Sequence, residues 1–233
     1  GSTFNKAVFV TISRVVLSVI LSILVQFGAA YALTKKQFPG KGLLLVLFII
    51  PMFISAGQIP TYVLFSKIKL LNNFWVYVLP GLFSFYNIII IRTFIQSTIP
   101  ESLEESAFID GASEIKVFSR IIIPLSTPIL ATIALWVMVG NWNDWTTTLI
   151  YIRTPKLYTL QYIMMEMVKE SERIQKLIAS AMETGKIIEN TSAPSSEALI
   201  SAQIIAVTIP IICVYPFLQK YFVKGIMMGS IKG

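Results

Sequence analysis

The sequence predicts an all-α polytopic membrane protein, because its composition is strongly apolar and five long stretches carry no charge. Of its 233 residues, 55% are hydrophobic and 13% are charged, against about 45–50% and about 25% in soluble domains. A helix needs about 20 apolar residues to cross the hydrocarbon core of a bilayer. Each uncharged stretch is long enough, so residues 1–233 are predicted to form one transmembrane domain with spans at about 15–34, 42–66, 70–91, 121–143 and 198–219.

The charged residues also exclude several classes of function. The chain has no His, so it lacks the usual general base and the imidazole ligands of common metal sites. The net charge of +7 comes from Lys and Arg that gather beside the spans, as expected for membrane topology and anionic head groups. We therefore expect the lipid bilayer as a partner and no nucleic acid, no metal site and no catalytic residue.

Orientation follows from the basic residues of the short connections, which are retained on the cytoplasmic side. They are most frequent in 35–41, in 92–120 and after the last span. This distribution predicts an external N-terminus and a cytoplasmic C-terminus. An external start without an initiator Met suggests a chain that lacks its beginning. Residues 6–32 could instead form a signal peptide, but an uncharged run of 20 exceeds the about 7–15 residues of a signal-peptide core.

Prolines interrupt the predicted spans. Each removes a backbone donor and tends to kink a helix. Kinked helices are common in proteins that open and close a path, although proline is also frequent in membrane helices generally. The residues are Pro51, Pro60, Pro80, Pro124, Pro128, Pro210 and Pro216.

The connection between the third and fourth spans is predicted to be a helix-turn-helix. Thr98 and Glu101 form a capping-box pattern, so a helix should start near Ile99. Gly111 is a natural helix stop, and Ser113 can cap a second short helix. The seven charges of residues 101–120 keep this part of the connection out of the membrane. It is either a solvated amphipathic connector or, given its small, apolar and acidic residues, a surface that docks into the groove of a partner.

At this segment the sequence resembles a known family. The EAA loop of binding-protein-dependent ABC importers has the pattern E-A-A, three residues, G, nine residues, I-x-L-P. Here Glu105-Ser106-Ala107 is followed by three residues, Gly111, nine residues and Ile121-Ile122-Ile123-Pro124. Ser106 in place of Ala and Ile123 in place of Leu are conservative departures. The loop at 98–120 is therefore identified as a cytoplasmic EAA coupling loop.

The resemblance extends to other parts of the chain. Asn141-Trp142-Asn143-Asp144 is similar to the W-N-D segment of carbohydrate permeases of the MalG type, and Gly229-Ser230-Ile231-Lys232-Gly233 is similar to their C-terminus. The run from Tyr215 to Gly225 resembles the LplC/YtcP-like branch, which is associated with complex oligosaccharides. The family has six helices with both ends cytoplasmic, so the resemblance implies that one helix precedes the five predicted here.

The resemblance implies a permease subunit of an ATP-driven carbohydrate importer, multi-pass in the bacterial cytoplasmic membrane. Its implied partners are a second homologous permease, two ATP-binding cassette subunits that hold ATP and Mg, and an extracytoplasmic solute-binding protein. This chain would need no cofactor and would not be an enzyme; it has no G-x-x-x-x-G-K-[ST] phosphate loop. The residues implied in coupling to the ATPase are Glu104, Glu105, Ala107, Asp110, Gly111, Ile121 and Pro124.

Substrate and binding-protein contacts are expected from two further regions. Apolar spacing predicts a helix over 159–184 within the extracytoplasmic segment 145–197. In the family this region meets the binding protein, but the helix could also lie on the membrane or on the sister permease. Uncharged polar and aromatic groups suit sugars, although Trp142 also fits an interfacial aromatic belt. The candidates for the substrate path are Tyr86, Asn87, Asn141, Trp142 and Asn143.

Two functions of other classes stay open. An ion-coupled secondary transporter or channel subunit usually needs carboxylates within the membrane, and the five uncharged stretches have none. Backbone carbonyls can also bind ions, so the lack of carboxylates does not exclude ion coupling. A membrane scaffold without a path is the other alternative. It differs from the importer in predicting that substrate does not stimulate an ATPase.

Overall fold

A computed structural model describes residues 2–54, 56–183 and 196–229, and within these ranges all regular elements are helical, which confirms the predicted all-α class. Short 3-10 turns cover Phe74–Tyr77, Leu79–Gly81 and Pro155–Leu157, and a π turn covers Phe118–Ile122. The α-helices are α1 Ser2–Thr34, α2 Lys41–Phe53, α3 Gln58–Lys67, α4 Phe85–Thr98, α5 Glu101–Ile109, α6 Glu114–Val117, α7 Ile123–Leu125, α8 Thr127–Asn143, α9 Thr146–Tyr151, α10 Leu160–Glu183 and α11 Ser196–Gly229.

Two helical segments are long and apolar enough to cross a membrane unaided, Thr3–Thr34 and Glu197–Val214. Three further candidates are pairs of helical segments joined at a bend of 118°, 44° or 76°. The described residues thus hold from two spans to five, according to whether each bent pair counts as one span. The five predicted spans are the upper end of this range, and their boundaries remain a prediction.

The sharp bend between α7 and α8 lies at two of the prolines that are predicted to kink the spans. Pro124 lies in α7 and Pro128 in the first turn of α8, on either side of Ser126. Because proline has no N–H, each removes one possible helical hydrogen bond. Between them, the N–H of Ser126 is shared by its regular helical partner, the carbonyl of Ile122, at 2.9 Å and the carbonyl of Ile123 at 3.1 Å. The local loss of regular bonding accounts for the 76° bend.

Helix α1 is the central element and packs against α4 and α8. Its contact with α4 forms an apolar core that includes Phe27, Ala30, Ile88 and Ile91, all at most 2% exposed. In a bilayer such contacts stabilise mainly by close packing, because lipid tails are as apolar as the side chains. The core continues to the end of α1 at Thr34, where the segment containing α5 and α6 adjoins it.

A second face of α1 is polar and buried, which the uncharged-run argument did not predict. The helix begins at Ser2, well before the predicted span start at residue 15, and so includes Lys6 and Arg14. Buried polar side chains follow one another at spacings of three or four residues, so they share one face of the helix. This polar stripe consists of Thr11, Arg14, Ser18, Ser22 and Gln26.

Helix α10 confirms the helix predicted over 159–184. Leu160 and Met165 are buried, whereas Glu166, Lys169 and Glu170 are exposed. Other predictions concern parts of the chain that the structure does not describe. These are residues 184–195 of the predicted extracytoplasmic segment 145–197, the C-terminal residues 230–233, and the side chains of the basic residues after the last predicted span.

Candidate coupling site

Helix α5 begins two residues later than the sequence pattern predicts. The expected capping box of Thr98 and Glu101 is wrong, because Thr98 is the last residue of α4. The amide of Ile99 still donates to the carbonyl of Ile95 at 3.0 Å and closes that helix. Helix α4, which has a buried apolar face, therefore continues through Thr98, where the sequence predicted the cap of the next helix. Pro100 then separates the two helices, and α5 starts at Glu101.

A glycine turn ends α5, as predicted. The N–H of Gly111 donates to the carbonyl of Phe108 at 3.0 Å, and the N–H of Ala112 donates to the carbonyl of Ala107 at 2.9 Å. These two bonds are the Schellman pattern of a helix C-terminus. Gly111 has a φ of 76°, in the left-handed region that residues with a Cβ rarely adopt. The turn therefore depends on glycine for its backbone conformation.

The second short helix also has the predicted cap. The side-chain oxygen of Ser113 accepts a hydrogen bond from the N–H of Lys116 at 3.4 Å. Helix α6 follows and runs into the π turn at Phe118–Ile122. The chain between α4 and α8 is thus a helix-turn-helix whose second helix leads directly into α7 and α8.

One lysine at the end of α1 connects to both helices of this segment. Lys35 Nζ forms an ion pair with Glu104 of α5 and lies 3.2 Å from a carboxylate oxygen of Glu114 in α6. The hydroxyl of Tyr31 donates to the same Glu114 oxygen at 2.8 Å. The ammonium also lies 4.3 Å from the ring centre of Tyr31. We call Tyr31, Lys35, Glu104 and Glu114 the Lys35 cluster.

The cluster keeps Lys35 positively charged. Burial by itself lowers the pKa of Lys35, but hydrogen bonds with Glu104, Tyr31 and Glu114 outweigh it and raise the pKa above its ordinary value. The side chains of Lys35 and Glu104 are 25% and 17% exposed, so water screens their attraction only in part. At neutral pH the cluster therefore contains one cation opposite two acidic side chains.

The opposite side of α5 and α6 carries large apolar side chains that are exposed. Ile109 is 87% exposed and Ile115 is 79% exposed. Leu103, Glu105 and Asp110 are also exposed. We call these five residues the α5–α6 surface. Exposed apolar side chains next to carboxylates are typical of a surface that contacts another protein.

The seven residues predicted for ATPase coupling do not share one environment. Glu104 faces α1 within the Lys35 cluster, and Ala107 and Ile121 pack against the apolar core. The remaining four are exposed: Glu105, Asp110, Gly111 and Pro124. Sequence reasoning gave no role to Ile109 in the α5–α6 surface. Its position two residues before the predicted helix stop at Gly111 is the signal that could have identified it.

Two asparagines predicted for the substrate path hold helices together. Asn87 is buried, and its side-chain nitrogen donates to Gln26 of the polar stripe at 3.0 Å. Asn141 accepts a hydrogen bond from Arg14 at 3.1 Å. The buried indole N–H of Trp142 has no hydrogen-bond partner among the described residues.

The other two path candidates, Tyr86 and Asn143, are exposed. Tyr86 lies beside Trp136 of α8, with ring centres 6.3 Å apart and planes 27° from parallel. Both rings are exposed, so this pair offers a flat aromatic area on the outside of the chain. The structure therefore does not bring the five candidates together into one site.

A buried ion pair lies in the N-terminal half of α1. Arg14 donates to the backbone carbonyl of Asp144 at 3.0 Å and forms an ion pair with its carboxylate. The guanidinium also lies 4.7 Å from the ring centre of Tyr77. The arginine was missed as a site residue because it precedes an uncharged run. The signal for it was its helical spacing with Thr11 and Ser18 on the polar stripe.

The surroundings of Asp144 stabilise its charged form. Burial by itself raises the pKa of Asp144, but the Arg14 guanidinium and hydrogen bonds from Thr146 and Thr147 together lower it to about 2. The hydroxyl of Thr146 donates at 2.6 Å and that of Thr147 at 2.5 Å. Because Asp144 directly follows α8, this network fixes the end of that helix to α1 and to the start of α9.

Over residues 8–228 the sequence matches the family described as the inner membrane component of binding-protein-dependent transport systems. The chain belongs to this family. Its members are transport permeases of ABC importers, and membership implies a transporter complex with other subunits. The EAA-like spacing thus lies, in this permease, on a helix-turn-helix with an exposed outer side.

Two curated relatives come from Bacillus subtilis (strain 168). Protein LplC is 40% identical over 231 residues, which are 99% of this permease and 75% of LplC. The polygalacturonan/rhamnogalacturonan transport system permease protein YtcP is 37% identical over 227 residues, 97% of this chain and 75% of YtcP.

A solved structure is similar as well. It is a chain of a bacterial ABC transporter involved in the import of the acidic polysaccharide alginate. The TM-score is 0.79 and the sequence identity 28%, over 95% of this permease and 76% of that chain.

Proposed function

We propose that the chain is the permease subunit of an ATP-driven importer for an oligosaccharide, and that its α5–α6 surface couples the transport path to a partner ATPase. The observation that carries the proposal is the EAA-like spacing on a helix-turn-helix whose apolar and acidic outer side is exposed. Family membership supports the transport role. The names of YtcP and of the alginate importer support a carbohydrate substrate.

In this proposal the α5–α6 surface fits into a cleft on the ATPase. Ile109 and Ile115 enter an apolar groove, and Glu105 and Asp110 pair with basic side chains at its edge. Gly111 holds the two helices at the angle that lets both contact the same cleft. Such a contact is a helix-in-groove arrangement, in which apolar anchors give affinity and rim charges give orientation.

The other subunits follow from the same proposal. Two ATP-binding cassette subunits hold ATP and Mg and lie at the Lys35 end of α1, which is the cytoplasmic end. A sister permease completes the path, and ATP-driven closure of the cassettes produces alternating access. The N-terminal end of α1 is extracytoplasmic, so α10, whose Leu160 N–H donates to Thr11 of α1, is on the side from which a solute-binding protein delivers the sugar.

For the substrate path, Tyr86 and Trp136 are the more suitable candidates. Sugars present flat apolar faces, and an exposed aromatic ring can stack against them. Asn87 and Asn141 already use their side chains between helices, so their contribution is to shape the path. Asn143 is exposed and keeps its amide for a hydroxyl group.

The test is the ATPase rate and sugar uptake of the purified complex in liposomes. The complex is assayed with its binding protein and a panel of oligogalacturonides, rhamnogalacturonan fragments, alginate oligomers and maltodextrins. We expect at least one oligosaccharide to stimulate ATP hydrolysis and to be imported only with ATP. Transport that persists without ATP or an ATPase subunit would contradict the proposal and favour an ion-coupled transporter or channel. A complex with no substrate-stimulated hydrolysis and no uptake would indicate a scaffold.

A further inference from the structure

The Lys35 end of α1 is fixed to two other helices through its last carbonyl groups. Arg92 Nε of α4 donates to the carbonyl of Leu33 at 3.0 Å. Lys41 Nζ of α2 lies 3.4 Å from the carbonyl of Thr34 and 3.3 Å from that of Lys35. The last carbonyls of a helix have no partner within it and carry partial negative charge. Two cations from neighbouring helices therefore stabilise the end of α1 in one position.

From this fixed point, Lys35 extends to both helices of the helix-turn-helix. It contacts Glu104 on the first helix and Glu114 on the second, on opposite sides of the Gly111 turn. The aromatic ring of Phe108 lies 5.4 Å from the same ammonium. One side chain thus connects α1 to α5 and to α6 at the same time.

An apolar contact adjoins the Lys35 cluster. The ring of Phe118, at the start of the π turn, lies 5.0 Å from the ring of Tyr31 and 5.4 Å from that of Phe27. Val117 beside it is fully buried. The α6 half of the segment is therefore packed onto α1 by both ionic and aromatic contacts.

The α5 half has much weaker support. None of its residues is fully buried. A cavity of about 630 Å³ lies among the ends of α1, α4 and α5, with Gln96, Ile99 and Phe108 in its wall. The only other ion pair between α1's end and α5 among the described residues joins Lys36 and Glu101, whose side chains are 79% and 59% exposed. Lys35 and Glu104 are thus the principal polar link that holds α5 against α1.

We propose that Lys35 is the positioning residue that makes α5, α6 and α1 move as one body when the partner ATPase displaces the α5–α6 surface. This inference rests on the proposed function. Without Lys35, α5 can move into the adjoining cavity and the displacement is lost locally. With Lys35 the displacement reaches α1, a helix of 33 residues and about 50 Å that carries the polar stripe to Arg14.

The first experiment measures transport by the complete complex, with Lys35→Met and a matched control, Lys36→Met. We expect Lys35→Met to assemble with the ATPase and hydrolyse ATP, but to import about tenfold less oligogalacturonide per ATP, within the roughly 5- to 150-fold range of typical coupling free energies. Lys36→Met should import as wild type does. Lys35→Arg should restore coupling because it keeps the charge. Wild-type import per ATP by Lys35→Met would overturn the proposal.

The second experiment needs no sugar and so separates this inference from the proposed function. Spin labels are placed at the exposed Ser102 of α5 and Ile20 of α1, with Cys213→Ser to remove the native thiol. Their distance is measured in the complex without nucleotide and after trapping with Mg-ATP and vanadate. In the wild type and in Lys36→Met we expect the same mean distance in both states.

In Lys35→Met the label distance should broaden and should change on trapping. If Lys35→Met does not assemble, Tyr31→Phe removes only the hydroxyl bonded to Glu114 and should give a smaller change in the same direction. An unchanged distance in Lys35→Met, or in Tyr31→Phe used in its place, would overturn the inference even if import of sugar is established. Should the complex import no sugar, the distance measurement still decides whether Lys35 joins the helices.

Discussion

Arg14, in the N-terminal half of α1, and Lys35, directly after its last residue, both pair with a carboxylate, but they hold their neighbours differently. Arg14 and Asp144 are 4% and 21% exposed, and the guanidinium is fixed by Asn141 and by the backbone of Asp144. Lys35 is 25% exposed and divides its charge between Glu104 and Glu114 beside a cavity. A guanidinium imposes a planar, directed geometry, whereas an ammonium is a compact point charge that two carboxylates can share. Arg14 thus fixes α1 to the segment from Asn141 to Asp144, whereas Lys35 holds α5 and α6 against the end of α1 through one shared cation.

The largest effect on stability is expected when the Arg14–Asp144 ion pair is broken. Arg14→Met leaves the carboxylate of Asp144 partly buried without its cation, and breaking a buried pair typically costs about 3–5 kcal/mol. Because Asp144 is partly accessible, we expect a loss near about 3 kcal/mol in the free energy of unfolding, seen as a lower Tm in detergent. Arg173→Met is the control, since its pair with Glu170 is 76% and 63% exposed and should change stability by about 0–1 kcal/mol. Equal losses in both variants would contradict the comparison.

The same pair predicts a pH dependence. The pKa of Asp144 falls from 3.8 to about 2 in the folded protein. A carboxyl group with a lowered folded pKa stabilises the protein above its unfolded pKa, and this contribution is lost as pH falls from about 4 to about 2. The difference in Tm between the wild type and Asp144→Asn should therefore be constant from about pH 5 to 8 and decrease below about pH 4. A difference that changes most near neutral pH would show that another group controls the pair.

A smaller effect is expected at the turn beside the Lys35 cluster. Gly111→Ala meets no atom within 4 Å, but its φ of 76° is unfavourable for a residue with a Cβ. We expect a loss of about 1–2 kcal/mol from backbone strain alone. Gly140→Ala is the matched control: it also meets no atom within 4 Å and lies inside α8. The control should be neutral or stabilising by up to about 1 kcal/mol. If chemical denaturation gives the same change in the free energy of unfolding for both variants, the turn does not require glycine.

The smallest effect on stability is expected at Lys36, in contrast to its neighbour Lys35. Lys36→Met removes an exposed ion pair with Glu101 at 2.7 Å, and exposed pairs are strongly screened. We expect no measurable change in Tm. Lys35→Met should lower the Tm, because it removes a partly buried cation shared by two carboxylates. Identical melting curves for the two variants would remove the distinction between Lys35 and Lys36.

Local features of the helix-turn-helix were predictable from sequence, and distant contacts were not. The Gly111 turn, the Ser113 cap and helix α10 depend on residues within one or two helical turns, and all three are present. The inward orientation of Glu104 depends on Lys35, 69 residues away in the sequence. No local pattern reports that contact.

The length of α1 also depends on a distant contact. The helix continues on the N-terminal side of the predicted span and includes Arg14, whose charge is compensated by Asp144, 130 residues away in the sequence. The third uncharged stretch contains two 3-10 turns before α4 begins at Phe85. Its composition resembles that of a span, but Pro80 and the Asn73 and Ser84 caps favour turns. The distribution of charges along the sequence shows how many apolar stretches there are. Where helices begin and end within these stretches depends on caps and on residues distant in the sequence.

The central claim is that the α5–α6 surface is the contact through which an ATPase drives this permease. Glu105→Lys tests it most directly, because the side chain is exposed and forms no part of a span. The measurement is ATP hydrolysis by the purified complex with sugar-loaded binding protein, beside the control Glu197→Lys on α11. We predict that Glu105→Lys inserts normally but loses stimulation or detaches the ATPase, while Glu197→Lys is stimulated as the wild type is. Wild-type stimulation in Glu105→Lys would contradict the claim.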